Sequence, residues 1–95
     1  MTAETKIVFI GRKPAMSYVL AIITSLSASN AKEITLKARG QAITTAVDVA
    51  EIARNRFLKD LTVSKIAIGT EEMPPREGEN SSRMVSTMEI TLAKP

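Results

Sequence analysis

Glu33-Ile34-Thr35-Leu36-Lys37-Ala38-Arg39-Gly40-Gln41 alternates apolar with polar residues and then breaks at a glycine. A period of two is that of a strand, so Ile34, Leu36 and Ala38 share one face while Thr35, Lys37 and Arg39 share the other. Upstream, Lys6-Ile7-Val8-Phe9-Ile10 is short, rich in β-branched residues and closed by Gly11, which reads as an earlier strand. Between the two, Pro14 suits a first helical position, where a missing N–H costs nothing. Met16, Val19, Leu20, Ile23 and Leu26 then recur at helical spacing. That helix fades in Ser27-Ala28-Ser29-Asn30, where Asn30 can take a left-handed stop.

Downstream, Gln41 to about Leu58 reads as a second helix with Ile43, Val47, Ala50 and Phe57 on one side. Val49, Ile52 and Ala53 lie on its flank, giving a wider apolar surface than one sheet contact needs. Val63 to Thr70 is a third strand. Arg83 to Leu92 is a fourth, in which Met84, Ser86, Met88, Ile90 and Leu92 alternate with Arg83, Val85, Thr87, Glu89 and Thr91. Pro74-Pro75 and Gly78-Glu79-Asn80-Ser81-Ser82 make the connection between them a hairpin arm, about 70–83, with a polar tip. The order is β-α-β-α-β-β in a single domain spanning 1–95, without internal repeat or linker.

A chain of 95 residues makes one domain. At this size only about 60–65% of the unfolded surface is buried, so dimerisation is a natural way to bury more. The longest apolar run, Val19 to Ile23, is far too short for a bilayer. Met1 to Lys6 lacks a basic region leading into an apolar core, and no secretory signal is expected. Cysteine and histidine are both absent. That removes disulfides, thiol nucleophiles, thiolate metal sites and the usual general base at neutral pH. Neither an enzyme nor a metal or cofactor protein is expected.

The net charge of +3 is unevenly spread. Residues 1–69 hold 10 Lys and Arg against 5 Asp and Glu, whereas residues 70–95 hold 3 against 5. The basic share concentrates at two strand-to-helix junctions, Gly11-Arg12-Lys13-Pro14 and Lys37-Ala38-Arg39-Gly40-Gln41. If the first crossover is the usual right-handed parallel unit, both junctions lie on one sheet edge. Both helix N-termini then point toward that edge, adding free N–H groups and partial positive charge. The result is a phosphate-binding surface without a base-reading element. Either junction alone is more often only a solvated loop, and it is the two at one edge that bring the phosphate reading level with it.

Other residues stay ambiguous in the sequence. Tyr18, one turn into the first helix, can stack on a base or sugar or pack beside the sheet. Arg54-Asn55-Arg56-Phe57 can cap the second helix or join a protein interface, with Phe57 better suited to packing than to stacking. Arg76 and Arg83 can grip a groove or balance Glu72, Glu77 and Glu79. Asp48 and Glu51 read as a solvated edge and not as a metal pair.

Several runs together resemble the Alba family of archaeal chromatin proteins. They are Ile10 to Leu20, Lys37 to Ile43, Ala46-Val47-Asp48, Glu51 to Leu58 and Val85 to Ile90, in register along essentially the whole chain. The resemblance implies an α/β protein of two-layer α+β build. It has a four-stranded mixed sheet and two helices, similar to the C-terminal domain of bacterial translation initiation factor three. It implies sequence-tolerant binding of double-stranded DNA and of RNA by a homodimer that coats or compacts chromosomal DNA in the archaeal cytoplasm. A heterodimer with a paralogue and higher assembly along DNA are implied partners too, and a membrane is not.

By the same resemblance, Arg12 and Lys13 contact the nucleic-acid backbone, and Lys37, Arg39 and Gln41 contribute beside them. Paired arms bring Arg76 and Arg83 toward the minor groove, and Arg54, Asn55 and Phe57 occupy the contact between neighbouring dimers. Two departures qualify this. Family members often carry a regulatory, acetylated lysine where this chain has Arg12, so such a switch would have to act on Lys13 or be missing. Glu71, Glu72, Glu77 and Glu79 outnumber Arg76 in the arm, and their repulsion from phosphates disfavours deep groove engagement. Alternatives are an RNA-binding subunit of a ribonucleoprotein processing complex, and a protein-interaction module built on the wide second helix.

Overall fold

The structure, a computed structural model, describes residues 5–28 and 31–95. Met1 to Glu4 and the helix stop expected at Asn30 lie outside the described residues. Elements run β1 (Thr5–Phe9), α1 (Ala15–Ala28), β2 (Glu33–Arg39), α2 (Ala42–Ile52), a π-helical turn (Ala53–Phe57), β3 (Thr62–Met73) and β4 (Arg83–Ala93). They form one four-stranded sheet in the order β1-β2-β4-β3. β1 and β2 are parallel, as a helical crossover requires. β4 runs antiparallel to both β2 and β3. The mixed sheet and element order are those the sequence implies.

Strand alternation decides the layers. Ile34, Leu36 and Ala38 are buried, and so are their β4 neighbours Ile90 and Leu92. Both helices cover this face, contributing Tyr18, Val19, Ile22 and Leu26 from α1 and Ala46, Val49 and Ala50 from α2. The open face carries Lys37, Arg39 and Glu89. Thr35 shares that face but is buried, with its Oγ1 3.0 Å from that of the paired Thr91. β2 has a strand on each side, which is enough to cover a side chain of that size.

Both helices are turned somewhat from the face their spacing predicts, although Val19, Leu26 and Ala50 are buried as expected and Ile23 and Ile43 pack against the core. Met16 and Leu20 of α1 are exposed, while Tyr18 and Ile22 are buried in their place. In α2 the buried residues are Ala46, Val49, Ala50 and then Ala53, whereas Val47 and Phe57 remain exposed. Alanines at 46, 50 and 53 follow the helical period and let α2 approach its neighbours closely, so the smaller side chains take the inner face. The last turn of α1 receives Lys94 Nζ on the Leu26 carbonyl at 2.6 Å, a cation against the negative end of the helix.

β3 outruns its expected end at Thr70. Glu71, Glu72 and Met73 continue the ladder opposite Val85, Met84 and Arg83. β2 meets β4 only from Thr87 onward, so the rest of the hairpin leaves the sheet as a two-stranded arm. The arm contributes to an elongated shape with principal extents of 47 × 30 × 19 Å. Among the described residues no helix is long and apolar enough to cross a membrane. None of the clusters of His, Cys, Asp or Glu among them is large enough to hold a metal ion.

Candidate nucleic-acid interface

Parallel pairing places the C-terminal ends of β1 and β2 side by side, Phe9 opposite Lys37 and the Ile10 amide 2.9 Å from the Lys37 carbonyl. Both basic junctions therefore leave the sheet at one edge. Gly40 makes the turn there at φ +59°, a left-handed conformation open to glycine at little cost. Its amide donates to the Ser86 carbonyl at 2.8 Å, and its carbonyl accepts from Ile43 at 3.1 Å as α2 begins. The N-cap residue of α2, Gln41, makes no side-chain cap bond, which leaves amides of the first turn available to an anion.

A shallow depression of about 1240 Å³ collects what the sequence scatters. Arg12 and Lys13 line it from the first junction, Arg39, Gly40, Gln41 and Thr45 from the second, and Arg76 and Arg83 from the arm. Arg12 and Lys13 are exposed, and neither has a carboxylate partner among the described residues. Arg39 is half-exposed and is paired, its Nη1 2.9 Å from Glu71 Oε1. Arg83 is partly buried, and its Nε is shielded from solvent without a protein acceptor. Lys37 stands one row away on the open face, outside the depression, in a second cleft beside Phe9 and Glu89.

The β1–α1 loop is held from below. Tyr18 Oη accepts hydrogen bonds from the Gly11 amide at 2.8 Å and the Lys13 amide at 3.0 Å. The ring itself is only 8% exposed. Tyr18 therefore has no face to offer a base, and the stacking role open to it in the sequence is corrected: it shapes the loop that presents Arg12 and Lys13.

A family model described as Alba matches residues 6–70 of the chain. The chain belongs to the Alba family. The DNA/RNA-binding protein Alba of Methanocella arvoryzae is 48% identical over 92 residues, covering 97% of this chain and 93% of that protein. The protein of the same name from Methanothrix thermoacetophila is 50% identical over 92 residues, covering 97% and 99%. The solved structure of Alba from Thermoplasma volcanium matches with a TM-score of 0.85 at 46% identity, covering 94% of this chain and all of that one.

Within this Alba fold, Arg54, Asn55 and Phe57 stand apart from the basic edge. α2 starts at that edge and runs away from it, so its far end lies about 20 Å off at 1.5 Å per residue. There the helix widens into a π turn, with Leu58 N donating to the Ala53 carbonyl at 2.7 Å. Arg54 pairs with Glu51 and reaches the Leu61 carbonyl at 3.4 Å, while Phe57 is 47% exposed. The sequence signals missed two things here. Nothing in Ala53-Arg54-Asn55-Arg56-Phe57 marks a π turn, and the pairing of Arg39 with Glu71 joins residues 32 positions apart.

Proposed function

We propose that this Alba chain binds double-stranded DNA and RNA through the depression at the β1–β2 edge, with little sequence preference. The observation that carries the reading is the convergence of Arg12, Lys13, Arg39, Arg76 and Arg83 from three separate stretches onto one surface beside an uncapped helix N-terminus. Such a surface neutralises phosphates and releases counterions, so binding weakens steeply with salt. Arginines and lysines that hold phosphate carry no base information by themselves. The relatives named DNA/RNA-binding protein Alba support both nucleic acids as targets.

A homodimer is part of this reading. Ile66 and Ile68 lie on the helix-side face of β3, opposite Ile90 and Met88, yet are 58% and 79% exposed. These exposed side chains form an apolar patch that a second copy, or a paralogue, covers. Two basic edges then act together, and contacts around Phe57 join neighbouring dimers into a coat that compacts chromosomal DNA in the cytoplasm or protects RNA. Acetylation at Lys13 removes one phosphate contact and so weakens the coat. No catalytic step is proposed. The structure-independent alternative is a subunit of an RNA-processing complex, which predicts tighter binding to structured RNA than to duplex DNA at equal salt.

Replacing Arg12 and Lys13 together by alanine tests the surface. Duplex affinity should fall, and the slope of log K against log salt should lessen by about 2 if both residues touch phosphate. An unchanged slope removes this edge from the interface.

A further inference from the structure

The open face of the sheet holds a second cleft that phosphate binding at the edge leaves unused. β1 places Phe9 there with 73% of its surface exposed, and Ile7 beside it is 48% exposed. Both helices pack on the opposite face, so nothing among the described residues covers this ring. Across the strands Phe9 is paired with Lys37, and Lys37 with Glu89. Arg39 and Thr87 form the next row, Glu71 follows further along β3, and Phe9, Lys37, Arg39, Glu71, Thr87 and Glu89 line a cleft of about 390 Å³.

The charges here differ from those at the edge. Lys37 is paired in register with Glu89, and Arg39 is bonded to Glu71 at 2.9 Å. Each cation has a carboxylate close by, so the cleft exerts little net pull on a phosphate. What it offers is an aromatic face bordered by donors and acceptors, and a nucleobase is a flat ring with both on its edge. The cleft is also continuous with the basic depression, because Ile10 and Arg39 line both.

We propose that Phe9 is a stacking platform for an unpaired base of single-stranded nucleic acid whose phosphates lie along the basic edge. The proposal rests on the edge being the phosphate site. A paired base is already stacked within its duplex and cannot lie flat on the ring, so this cleft selects single strands or unpaired loops. Glu89 accepts from exocyclic amino groups, and Lys37 donates to ring nitrogens or carbonyls.

The chain has no tryptophan, so Phe9→Trp supplies a single fluorophore at the platform. Its emission should be quenched by a single-stranded RNA of about ten nucleotides, a length within the usual site sizes. A duplex of equal length and an abasic ribose–phosphate oligomer should bind without quenching. Phe9→Ala should weaken single-strand binding about tenfold, the scale of one base–aromatic stack, and leave duplex binding unchanged. Because Phe9 is exposed, circular dichroism of both variants should match the parent.

Unquenched emission at saturating single strand overturns the platform, as does an equal loss of single-strand and duplex affinity in Phe9→Ala. A change of oligomeric state in Phe9→Ala with RNA affinity intact assigns the ring to a second copy and overturns it too. If the parent chain binds neither form, the edge and the platform fall together, whereas binding without quenching removes the platform alone.

Discussion

Tyr18 Oη accepts from the amides of Gly11 and Lys13, which flank Arg12, so one buried oxygen sets where both exposed cations of the loop begin. Removing it leaves two amides short of an acceptor while taking no charge from the surface. Tyr18→Phe should therefore cost about 1–3 kcal/mol of stability, read as a lowered Tm. Nucleic-acid affinity should fall several-fold as the loop loosens, but the salt slope should not move, because every phosphate contact still has its cation. A reduced slope in Tyr18→Phe would mean that the loosened loop no longer brings Arg12 or Lys13 to phosphate. The side chains the sequence points to most openly, Arg12 and Lys13, depend in this way on a residue whose part is invisible without the loop's geometry.

The hairpin arm is the element in which the charges are most opposed. β3 and β4 carry it beyond the end of β2, and Glu71 at its root holds Arg39 at 2.9 Å. Both side chains are half-exposed, so the pair adds about 0–1 kcal/mol at most to stability. Its larger effect is on binding, since the carboxylate occupies a guanidinium that a phosphate would otherwise take. Glu71→Gln should leave Tm nearly unchanged, tighten duplex binding and steepen the salt slope by about 1. Weaker binding in this variant would show that Glu71 positions Arg39 for its ligand. The elements themselves were largely legible: alternation in Glu33–Arg39 and Arg83–Leu92 gave the strands, and Gly11 and Gly40 gave the ends of the first two. The helix faces were legible only in part: Val19, Leu26 and Ala50 are buried as their spacing suggests, but Tyr18 and Ile22 take the place of Met16 and Leu20, and Ala46 goes inward through close approach while Val47 stays exposed. The extra length of β3 was hidden as well, since Glu71 and Glu72 have poor strand propensity and are held by pairing with β4.

At the scale of the whole molecule, the chain presents a basic depression, and the apolar helix-side face of β3 is left open to water. Ile68 is 79% exposed on the side of the sheet that elsewhere forms the core, beside Ile66 and near Met88 in the ladder. Leaving such side chains in water forgoes roughly 1.5–3 kcal/mol each, which association recovers. Placing a carboxylate there spares the fold of the single chain and penalises the interface, because a buried unpaired charge is costly. Ile68→Glu should thus sediment as a monomer with an unchanged circular dichroism spectrum. Its salt slope on duplex DNA should drop to about half, since only one basic edge can then neutralise phosphates in each binding event. Affinity should fall more steeply than the slope, because the second edge of a dimer binds at the high effective concentration that tethering provides. Phe57→Ala separates the next level of assembly: it should remain dimeric with the parent slope, yet lose cooperativity in a gel-shift titration on long duplexes. A dimeric Ile68→Glu would move the interface elsewhere, and with it the reason for expecting two edges to act as one.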